Sequence, residues 1–373
     1  MTKQNQGAVG VAIVGAGFIS TQYLDTLSTF PDLAVRVIAD RDPDAARRRA
    51  EQYGIAESGP PELALGHSGV EIVVNLTVPA AHADVDLAAI QAGKHVWSEK
   101  PLALGRDEAR TVLTAARTAG VRVGCAPDSV LGAGIQSARR AIERGDIGTP
   151  LTAITLFQVP GPESWHPRPE FLYQRGGGPL LDHGPYYLSA LVHLLGGVRR
   201  VAATGSASLA TRVIGTGPRA GEEFPVEVLT HVSAITEFES GASAISVFSF
   251  ESPLARRGFF EVTGTEGVLS VPDPNLFDGP LRIFHPGDEE WSNLPTTGPS
   301  DGRGLGVLDM ARSIREGSDH LASGDLAYHV LDVMLAIEES IDAASFVDVA
   351  SSAPDLRTVP ADWAPRAPTI SKG

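Results

Sequence analysis

The fold is decided by residues 9–20, Val-Gly-Val-Ala-Ile-Val-Gly-Ala-Gly-Phe-Ile-Ser. An apolar run ends at Val14, and the glycines that follow open a segment with helical spacing. Gly15 permits a tight turn, and Gly17 lets the backbone approach a pyrophosphate, which then lies against the N-terminus of the helix. The third small position holds Ser20 instead of Gly or Ala, a side chain still small enough for close packing of helix on strand. The residues predicted to contact a dinucleotide here are Gly15, Gly17, Phe18 and Ile19.

An acidic residue follows where a dinucleotide needs one. Asp40 ends the second apolar run, about 20 residues after the glycine turn. A carboxylate there accepts a hydrogen bond from the ribose 2′-hydroxyl of NAD and repels the 2′-phosphate of NADP. Arg41 leaves NADP open, because its guanidinium either meets a 2′-phosphate, stacks on adenine or stays solvated. We expect NAD as the cofactor, with Asp40 and Arg41 at its ribose.

Outward from this turn, strands and helices alternate through the first third of the chain. Apolar runs at 33–39, 70–76, 95–97 and 121–125 are separated by segments of helical spacing at 18–30, 43–53, 80–92 and 107–119. Such alternation predicts a parallel sheet that is covered on both faces. The fold class is therefore α/β, with an N-terminal, doubly wound dinucleotide-binding domain over residues 1–126.

The rhythm changes after about residue 127. A helical segment at 135–144 precedes longer, alternating strands at 151–159, 200–208, 226–238, 242–249, 258–263 and 267–271, and helical spacing returns at 306–315 and 326–344. The alternation predicts an open, mainly antiparallel sheet with one covered face. Residues 127–373 then form an α+β domain that binds substrate, and its uncovered face predicts a homodimer or homotetramer.

Composition excludes several classes of function. The 373 residues suffice for about two domains, and a net charge of −15 disfavours nucleic acid as a partner, because an acidic surface repels phosphate backbones. Cys125 is the single cysteine, so no disulfide forms within the chain, which suits a reducing, cytoplasmic location. No apolar run reaches about 18 residues and Met1–Gly7 lacks a hydrophobic signal core, so neither a membrane span nor secretion is expected.

Polar residues follow the next two strands at the same edge of the sheet. Asn75, Thr77 and Pro79 come where open α/β sheets bind ligands, and we expect them to line the nicotinamide side. His82 lies beside them, and we favour a structural role at the start of the next helix over catalysis. Glu99-Lys100-Pro101 follows the fourth strand. In one interpretation the lysine ammonium hydrogen-bonds a substrate hydroxyl and favours its alkoxide as hydride leaves, and a cis peptide bond before Pro101 aims it into the cleft. In the other, Lys100 is a surface charge in a turn.

These segments together resemble the glucose–fructose oxidoreductase / inositol dehydrogenase / rhizopine catabolism (Gfo/Idh/MocA) family. The resemblance is carried by the glycine turn, Asp40, Asn75-Leu76-Thr77 and Glu99-Lys100-Pro101, and extends over nearly the whole chain. The family implies an N-terminal Rossmann domain, a C-terminal open sheet that often forms the oligomer interface, and NAD(P)-linked oxidation or reduction of sugars, inositols and related compounds. It also implies that Lys100 is catalytic, and we place Glu99 in the cofactor site.

A second segment matches the family's other motif. The usual form is Asp-x-Gly-x-His, in which the histidine relays the proton, whereas this chain has Asp182-His183-Gly184-Pro185-Tyr186. A tyrosine pKa of about 10 is too high for a base near neutral pH, but a nearby Lys100 ammonium would favour the phenolate. The resemblance thus predicts Tyr186 as the proton carrier, against the alternative of a packing residue at the helix start. This interpretation requires the two side chains to converge beside the nicotinamide.

The other substrate candidates surround this motif. Asp182 either accepts a hydrogen bond from a sugar hydroxyl, orients Lys100 or caps the following helix, and His183 either contacts substrate or caps the turn. Trp165 and His166 lie in a Gly/Pro-rich loop and suit stacking on a sugar face, unless the loop folds back and buries the indole. Further candidates are Phe171, Tyr173 and Asp128. The spacing of Asp182, His183 and His166 matches no standard ligand set, so no metal site is expected.

The sequence is compatible with three functions. The first is an NAD-dependent dehydrogenase that acts on a hydroxyl-bearing carbon of a sugar, glycoside or inositol, with C3 of a pyranoside as the sharper expectation. The second is a non-catalytic NAD-binding sensor on the same fold, which has no need of Lys100 and Tyr186 together. The third is an NAD(P)H-dependent reductase of a non-sugar carbonyl or imine, which predicts a more apolar substrate pocket. The sequence favours the dehydrogenase.

Overall fold

The computed structural model of the protein describes residues 7–370 and divides them into two compact units. The first unit comprises residues 7–132, 298–328 and 359–370, and the second comprises residues 133–297 and 329–358. The expectation that Met1–Gly7 carries no signal segment concerns residues that, apart from Gly7, lie outside the described range. Each helix within that range is too short or too polar to cross a lipid bilayer.

The first unit is built on a parallel sheet. Its elements up to Cys125 are β1 (Val9–Val14), α1 (Phe18–Leu27), β2 (Leu33–Ala39), α2 (Pro43–Tyr53), β3 (Glu57–Gly59), α3 (Pro61–Gly66), β4 (Ile72–Asn75), α4 (His82–Gln91), β5 (His95–Ser98), α5 (Arg106–Ala119) and β6 (Val123–Cys125). The six strands are ordered β3-β2-β1-β4-β5-β6, and every pair is parallel. This order confirms the doubly wound fold, and it reverses between β1 and β4, the position where such sheets bind ligands.

The remaining elements follow in chain order. They are α6 (Ala133–Glu143), β7 (Pro150–Pro160), α7 (Gly178–Leu195), β8 (Val198–Ser206), β9 (Thr211–Val213), β10 (Glu223–Pro225), β11 (His231–Phe238), β12 (Ser243–Ser249), β13 (Glu251–Gly264), β14 (Val268–Ser270), β15 (Leu281–Phe284), β16 (Ser292–Leu294), α8 (Leu305–Glu316), α9 (Gly324–Ala343) and β17 (Val347–Asp348). Nine of these strands form a sheet with the order β16-β15-β14-β13-β7-β12-β11-β8-β17. Within it β7 and β12 run parallel and the other neighbours are antiparallel, which confirms the expected open, mainly antiparallel sheet.

The two faces of the nine-stranded sheet differ in character. Val232 and Ala234 of β11 are buried on the face against which α7 packs. On the other face Ile154, Ile245 and Ile235 stand side by side on β7, β12 and β11, because Ile245 pairs with both of the others. Each of the three is 43–51% exposed. The period-two pattern of these strands thus leaves an apolar row open on the uncovered face.

The chain returns to the first unit twice, which the sequence did not predict. The expected boundary between residues 126 and 127 falls close to Gly132, but residues 298–328 and 359–370 belong with the parallel sheet and not with the second unit. One reason is Asp128, whose Oδ2 accepts hydrogen bonds from the N–H groups of Gly304 (2.7 Å) and Gly306 (3.1 Å) at the start of α8. The carboxylate therefore caps a helix, and since Asp128 is fully buried, its predicted place in the substrate cleft is wrong.

A buried ion pair holds the C-terminal segment on the first unit. Asp32, just before β2, pairs with Arg312 of α8 at 2.9 Å, and both side chains are at most 5% exposed. The same carboxylate accepts hydrogen bonds from the backbone of Thr369 and Ile370. Burial by itself raises the pKa of Asp32, but the hydrogen bonds from Ile370, Thr369 and Arg312 outweigh it and leave the pKa below its ordinary value.

Replacing Asp32 by Asn should therefore destabilise the protein in a pH-dependent way. At neutral pH we expect the free energy of unfolding to fall by about 2–4 kcal/mol, because the Arg312 guanidinium would stay buried without its counter-charge. A carboxylate with a lowered native pKa stabilises fully above its unfolded pKa of about 4, and loses that contribution as the pH falls through the native value. Urea titrations of both proteins between pH 3 and pH 8 measure this, and a constant difference across that range would contradict the assignment.

Candidate active site

The glycine turn has the shape that a pyrophosphate requires. Gly15 adopts φ +109°, and a Cβ there would lie 2.6 Å from the carbonyl oxygen of Leu76 at the end of β4, so no larger residue fits. Gly17 is the N-cap of α1, carries no side-chain cap, and a Cβ added to it would meet no atom within 4 Å. Ser20 is fully buried and closes back on the turn through a 2.6 Å bond from Oγ to the Gly17 carbonyl. The N-terminus of α1 thus has no side-chain cap, which suits an anion site at a helix N-terminus.

Asp40 is bonded directly to this turn. Its Oδ2 accepts a hydrogen bond from the Ala16 N–H at 2.7 Å, and its Oδ1 accepts one from the Asp42 N–H at 2.9 Å. A carboxylate has about four acceptor positions, so hydroxyls of a ribose still find room on it. Arg41 beside it is exposed, as are Phe18 and Gly17, while Ile19 is half-buried. These residues fit NAD, and the negative charge at Asp40 disfavours a 2′-phosphate.

One arginine at the turn was not predicted. Nη2 of Arg49, on α2, lies 3.1 Å from the Gly17 carbonyl oxygen and donates a hydrogen bond to it. The side chain therefore brings a positive charge to the turn that would hold the pyrophosphate. Its only signal in the sequence is an arginine in a helix with several others, Arg47 and Arg48 among them, so spacing could not have separated it from solvated neighbours.

The end of β4 holds buried polar groups behind a more accessible threonine. Asn75 is fully buried, donates from Nδ2 to Asp86 at 2.7 Å, and accepts from the hydroxyl of Thr77 at 2.6 Å. Burial raises the pKa of Asp86 to about 7, although the hydrogen bond from Asn75 acts in the opposite direction. Asp86 is fully buried, so its role at this end of β4 is structural. Asn75 therefore positions Thr77 and does not itself line the nicotinamide side, which corrects the prediction. Thr77 and Pro79 are half-buried, and their contact with the nicotinamide stays a prediction.

His82 ties the same edge to the lysine segment. It is fully buried, with Nδ1 2.7 Å from the carbonyl oxygen of Pro101 and Nε2 3.0 Å from that of Thr77. Burial lowers its pKa, although the two carbonyl groups act in the opposite direction. This arrangement agrees with the favoured structural role and removes His82 from direct contact with the cofactor.

Glu99 fixes the position of Lys100. Its Oε1 accepts a hydrogen bond from the hydroxyl of Tyr23 on α1 at 2.8 Å, and its Oε2 accepts the Lys100 N–H at 3.0 Å. Nε1 of Trp97 in turn donates to the Tyr23 hydroxyl at 3.1 Å. Burial, together with the carboxylates of Glu99 and Asp128, raises the pKa of Tyr23 well above its usual value, so the phenol stays a donor.

Lys100 itself is half-buried, and its peptide bond to Pro101 is cis, as expected. The segment follows β5, which pairs with β4, so Lys100 comes at the same strand ends as Thr77. Sequence reasoning missed Tyr23, because a tyrosine on the inner face of a helix has the ordinary spacing of a core residue. The structure thus joins the nucleotide helix α1 to the lysine segment through one hydrogen-bonded carboxylate.

The second motif lies on one face of a helix in the second unit. α7 begins at Gly178 with Gly177 as its N-cap, so Asp182 sits within the helix and is not its cap, contrary to one of the alternatives. Tyr186 lies four residues after Asp182 and three after His183, so the three side chains occupy neighbouring positions on the surface of α7. Nε2 of His183 lies 3.3 Å from Oδ2 of Asp182, and each side chain is about one-fifth exposed. Tyr186 is 5% exposed.

The His183 ring has a defined aromatic partner. It stacks on Phe157 of β7 with 3.6 Å between ring centroids and 18° between planes, and its centroid lies 6.0 Å from that of Tyr186. Phe157 was not among the predicted site residues, since it reads as one inward position of an alternating strand. The stack holds the imidazole beside the Asp182 carboxylate and the Tyr186 phenol.

The Gly/Pro-rich loop presents its aromatic side chains outward. Trp165 is 59% exposed and Phe171 is 42% exposed, which rules out the alternative of a loop folded back over the indole. His166 lies between them, with ring centroids 5.4 Å away on either side. Burial lowers the pKa of His166, while the carboxylates of Glu170 and Asp182 act in the opposite direction. Tyr173 is fully buried with its hydroxyl bonded to Glu163, so its predicted contact with substrate is wrong.

Within residues 7–370, His, Cys, Asp and Glu side chains nowhere gather in the groups of three or more that a metal ion would need. Cys125, the last residue of β6, is buried.

Two family models match most of the chain. One, described as an oxidoreductase family with an NAD-binding Rossmann fold, matches residues 9–126, and the other, the GFO/IDH/MocA C-terminal domain, matches residues 135–270. The chain belongs to the Gfo/Idh/MocA family of oxidoreductases. Membership accounts for the glycine turn, the Glu-Lys-Pro segment and the motif on α7, and it makes the protein an NAD-binding oxidoreductase.

Curated relatives and solved structures of the Gfo/Idh/MocA family agree with this assignment. The chain is 34% identical to 1,5-anhydro-D-fructose reductase of Ensifer adhaerens over 67% of its own length and 80% of that protein. It is 26% identical to levoglucosan dehydrogenase of Pseudarthrobacter phenanthrenivorans over 91% and 98% of the two chains. An NAD-binding oxidoreductase from Klebsiella pneumoniae superposes with a TM-score of 0.82 at 26% identity, covering 93% of this chain and 100% of that one. Levoglucosan dehydrogenase in complex with NADH and L-sorbose shares the fold, with a TM-score of 0.81 at 23% identity over 92% and 99% of the chains.

Replacing Tyr23 by Phe tests whether its hydroxyl positions the lysine of this Gfo/Idh/MocA enzyme. Glu99 would lose one of its donors, and we expect kcat to fall about ten-fold, while KM for the substrate and NADH affinity change less than about two-fold. NADH fluorescence titration and steady-state rates measure both. Tyr53→Phe is the matched control, because that hydroxyl also donates to a carboxylate on α1, Asp25, at 2.7 Å but on the surface. Equal kcat values in the two variants would show that Tyr23 serves stability alone.

Proposed function

We propose that the protein oxidises a hydroxyl-bearing carbon of a sugar, glycoside or inositol with NAD as hydride acceptor. The observation that carries the proposal is the Glu99-Lys100-Pro101 segment, in which a buried carboxylate fixes the backbone of a half-buried lysine at the ligand-binding edge of the sheet. The names of the relatives point the same way, since they include a levoglucosan, a D-apiose, a D-xylose and a scyllo-inositol dehydrogenase.

The cofactor would be held by the first unit. The pyrophosphate would rest on the N–H groups that follow Gly17, and Asp40 would accept hydrogen bonds from the adenosine ribose. The nicotinamide would take the edge at Thr77 and Pro79, with Glu99 behind it. Bound NAD supplies a hydride-accepting carbon, and the protein's own residues orient the substrate and move the proton.

Lys100 and Tyr186 divide the work on the reacting hydroxyl. The Lys100 ammonium donates a hydrogen bond to the hydroxyl oxygen and stabilises the negative charge that develops there as hydride departs. Tyr186 accepts the hydroxyl proton, so that the C–OH group becomes a carbonyl, and returns a proton in the reverse reaction. In this proposal the Lys100 ammonium favours the phenolate form that Tyr186 needs in order to accept a proton. The Asp182–His183 pair lies next to Tyr186 and would pass the proton onward.

Three finer assignments belong to this proposal. Asp182 accepts a hydrogen bond from a second hydroxyl of the substrate, and Trp165 with His166 contacts a sugar face, which together favour a cyclic polyol over a small non-sugar carbonyl. Oxidation at C3 of a pyranoside is the specific reaction we propose within the class. A reducing, cytoplasmic location, expected from the single cysteine, stays a prediction.

Replacing Lys100 by Met should abolish turnover and leave NAD binding intact. We expect kcat to fall by about a thousand-fold or more, because the variant loses the group that stabilises the alkoxide but keeps the glycine turn and Asp40. Purified protein is screened against methyl pyranosides, inositols and free sugars by NADH absorbance, and NADH affinity is followed by fluorescence. Arg110→Met, which removes an exposed positive charge from α5, is the control and should keep full activity.

Two outcomes would count against the proposal. Near-normal activity of the Lys100 variant would refute the mechanism, whereas NADH binding by the wild-type protein without turnover of any polyol would favour the sensor. Turnover restricted to non-sugar carbonyl compounds with NADPH would favour the third function considered above.

We also propose that the protein forms a homodimer or homotetramer through the uncovered face of the nine-stranded sheet. Ile154, Ile245 and Ile235 form a continuous apolar row there, each about half exposed. Burying such a row against a second copy removes apolar surface from water, at roughly 25 cal/mol per Å². A closed symmetric pair of sheets places the same row on both sides of the interface.

A charge at the centre of this row should dissociate the oligomer. We expect Ile245→Lys to elute as a monomer in size-exclusion chromatography with light scattering at about micromolar protein, because two copies would bring like charges together in a desolvated interface. Leu276→Lys, which adds the same charge at a 56% exposed leucine outside these strands, should leave the mass unchanged. A wild-type monomer, or an Ile245 variant of unaltered mass, would refute this interface.

A further inference from the structure

The loop before α7 carries an aromatic group of unusual exposure. It consists of Trp165, His166 and Phe171, which we call the aromatic platform. The imidazole is roughly perpendicular to both of its neighbours, with centroid distances of 5.4 Å to each ring and interplanar angles of 76° and 71°. Trp165 and Phe171 keep 59% and 42% of their surface in solvent. Two exposed aromatic faces with a polar ring between them are typical of a site for sugar rings.

Buried charges hold the base of this loop. Arg212 of β9 pairs through Nη1 with Glu163 at 2.7 Å and through Nη2 with Glu251 at 2.8 Å, and its side chain is 7% exposed. The Glu163 carboxylate also accepts the hydroxyl of the buried Tyr173, and its backbone carbonyl accepts the N–H of Gly215 at 2.8 Å. Both ends of the loop are therefore fixed to the sheet region of the second unit. A fixed loop loses little conformational entropy when a ligand stacks on it.

The imidazole of the platform has a polar edge that is set for donation. Nδ1 of His166 accepts the N–H of Arg168 at 3.0 Å, which leaves the proton of the neutral ring on Nε2. Burial lowers the pKa of His166, although Glu170 and Asp182 act in the opposite direction, so the ring is neutral at neutral pH. It therefore offers one N–H donor between two apolar faces, a combination that matches a pyranose with its hydroxyl rim.

Resting on the function proposed above, we propose that the aromatic platform is a subsite for a second ring, and that the substrates are glycosides whose reacting sugar is joined to another sugar. The reacting ring uses Asp182 and Tyr186 on α7. The second ring stacks on Trp165 and Phe171, and the Nε2–H of His166 donates to one of its hydroxyls. A free monosaccharide would leave these two aromatic faces wet, so the platform selects disaccharides over single sugars.

The test compares one-ring and two-ring substrates of the same reacting sugar. Wild-type protein and Trp165→Ala are assayed by NADH formation with methyl glucoside, galactoside and xyloside, and with cellobiose, lactose and xylobiose. For the reacting sugar that is oxidised, we expect the wild type to prefer the disaccharide at least ten-fold in kcat/KM. Trp165→Ala should lose about five- to ten-fold on the disaccharide through KM alone and less than two-fold on the methyl glycoside. Trp165→Phe should restore most of the loss.

The controls separate this inference from the proposed function. Phe346→Ala removes an exposed aromatic ring beside β17 and should leave kcat/KM unchanged for both the one-ring and the two-ring substrates. Phenyl glucoside distinguishes a general aromatic platform from a sugar subsite, because tighter use of the phenyl glycoside than of the disaccharide would overturn the sugar assignment. Equal losses on one-ring and two-ring substrates, or no loss, would overturn the subsite while leaving the dehydrogenase in place. Absence of turnover with every sugar would instead refute the proposed function.

Discussion

The two hydrogen bonds that the Glu99 carboxylate accepts are the interactions on which the proposed chemistry of the first unit depends. A charge this well buried is tolerated only where its oxygens are hydrogen-bonded. Those bonds come from the Tyr23 hydroxyl on α1 and from the backbone of Lys100, so the helix that would receive the pyrophosphate and the segment that carries the lysine share one carboxylate. Displacing either element would leave the other with an unsatisfied buried group, which is why the edge holds its shape.

In the second unit a cluster of paired charges fixes a loop, as the Glu99 carboxylate fixes the lysine segment in the first unit. Arg212 holds Glu163 and Glu251 together in a largely buried cluster, and the loop that rises from this cluster exposes Trp165. α7 carries the proposed substrate residues Asp182 and Tyr186, since helical spacing alone brings residues four apart onto one face. In each unit, buried polar groups thus anchor the segment that carries the proposed site residues.

Much of this architecture could be predicted because its signals are local. β1, β2 and α2 have the predicted bounds, since continuous apolar strands and a capped, arginine-rich helix are patterns of a few residues. Short elements such as β3 and β9 carry too few residues to show a period. The return of residues 298–328 to the first unit could not be predicted, because it rests on Asp128 meeting Gly304 and Gly306, positions far apart in the chain.

By itself the sequence determined the α/β class, the NAD-binding turn, the family and the lysine segment. Each of these can be recognised from short runs of residues whose pattern is visible along the chain. Only the tertiary structure decided which polar side chains are accessible. It buried Asn75, Asp128 and Tyr173 as structural groups and left Trp165 in solvent. Accessibility depends on which distant residues supply hydrogen bonds and cover a surface, and spacing along the chain carries no record of those partners.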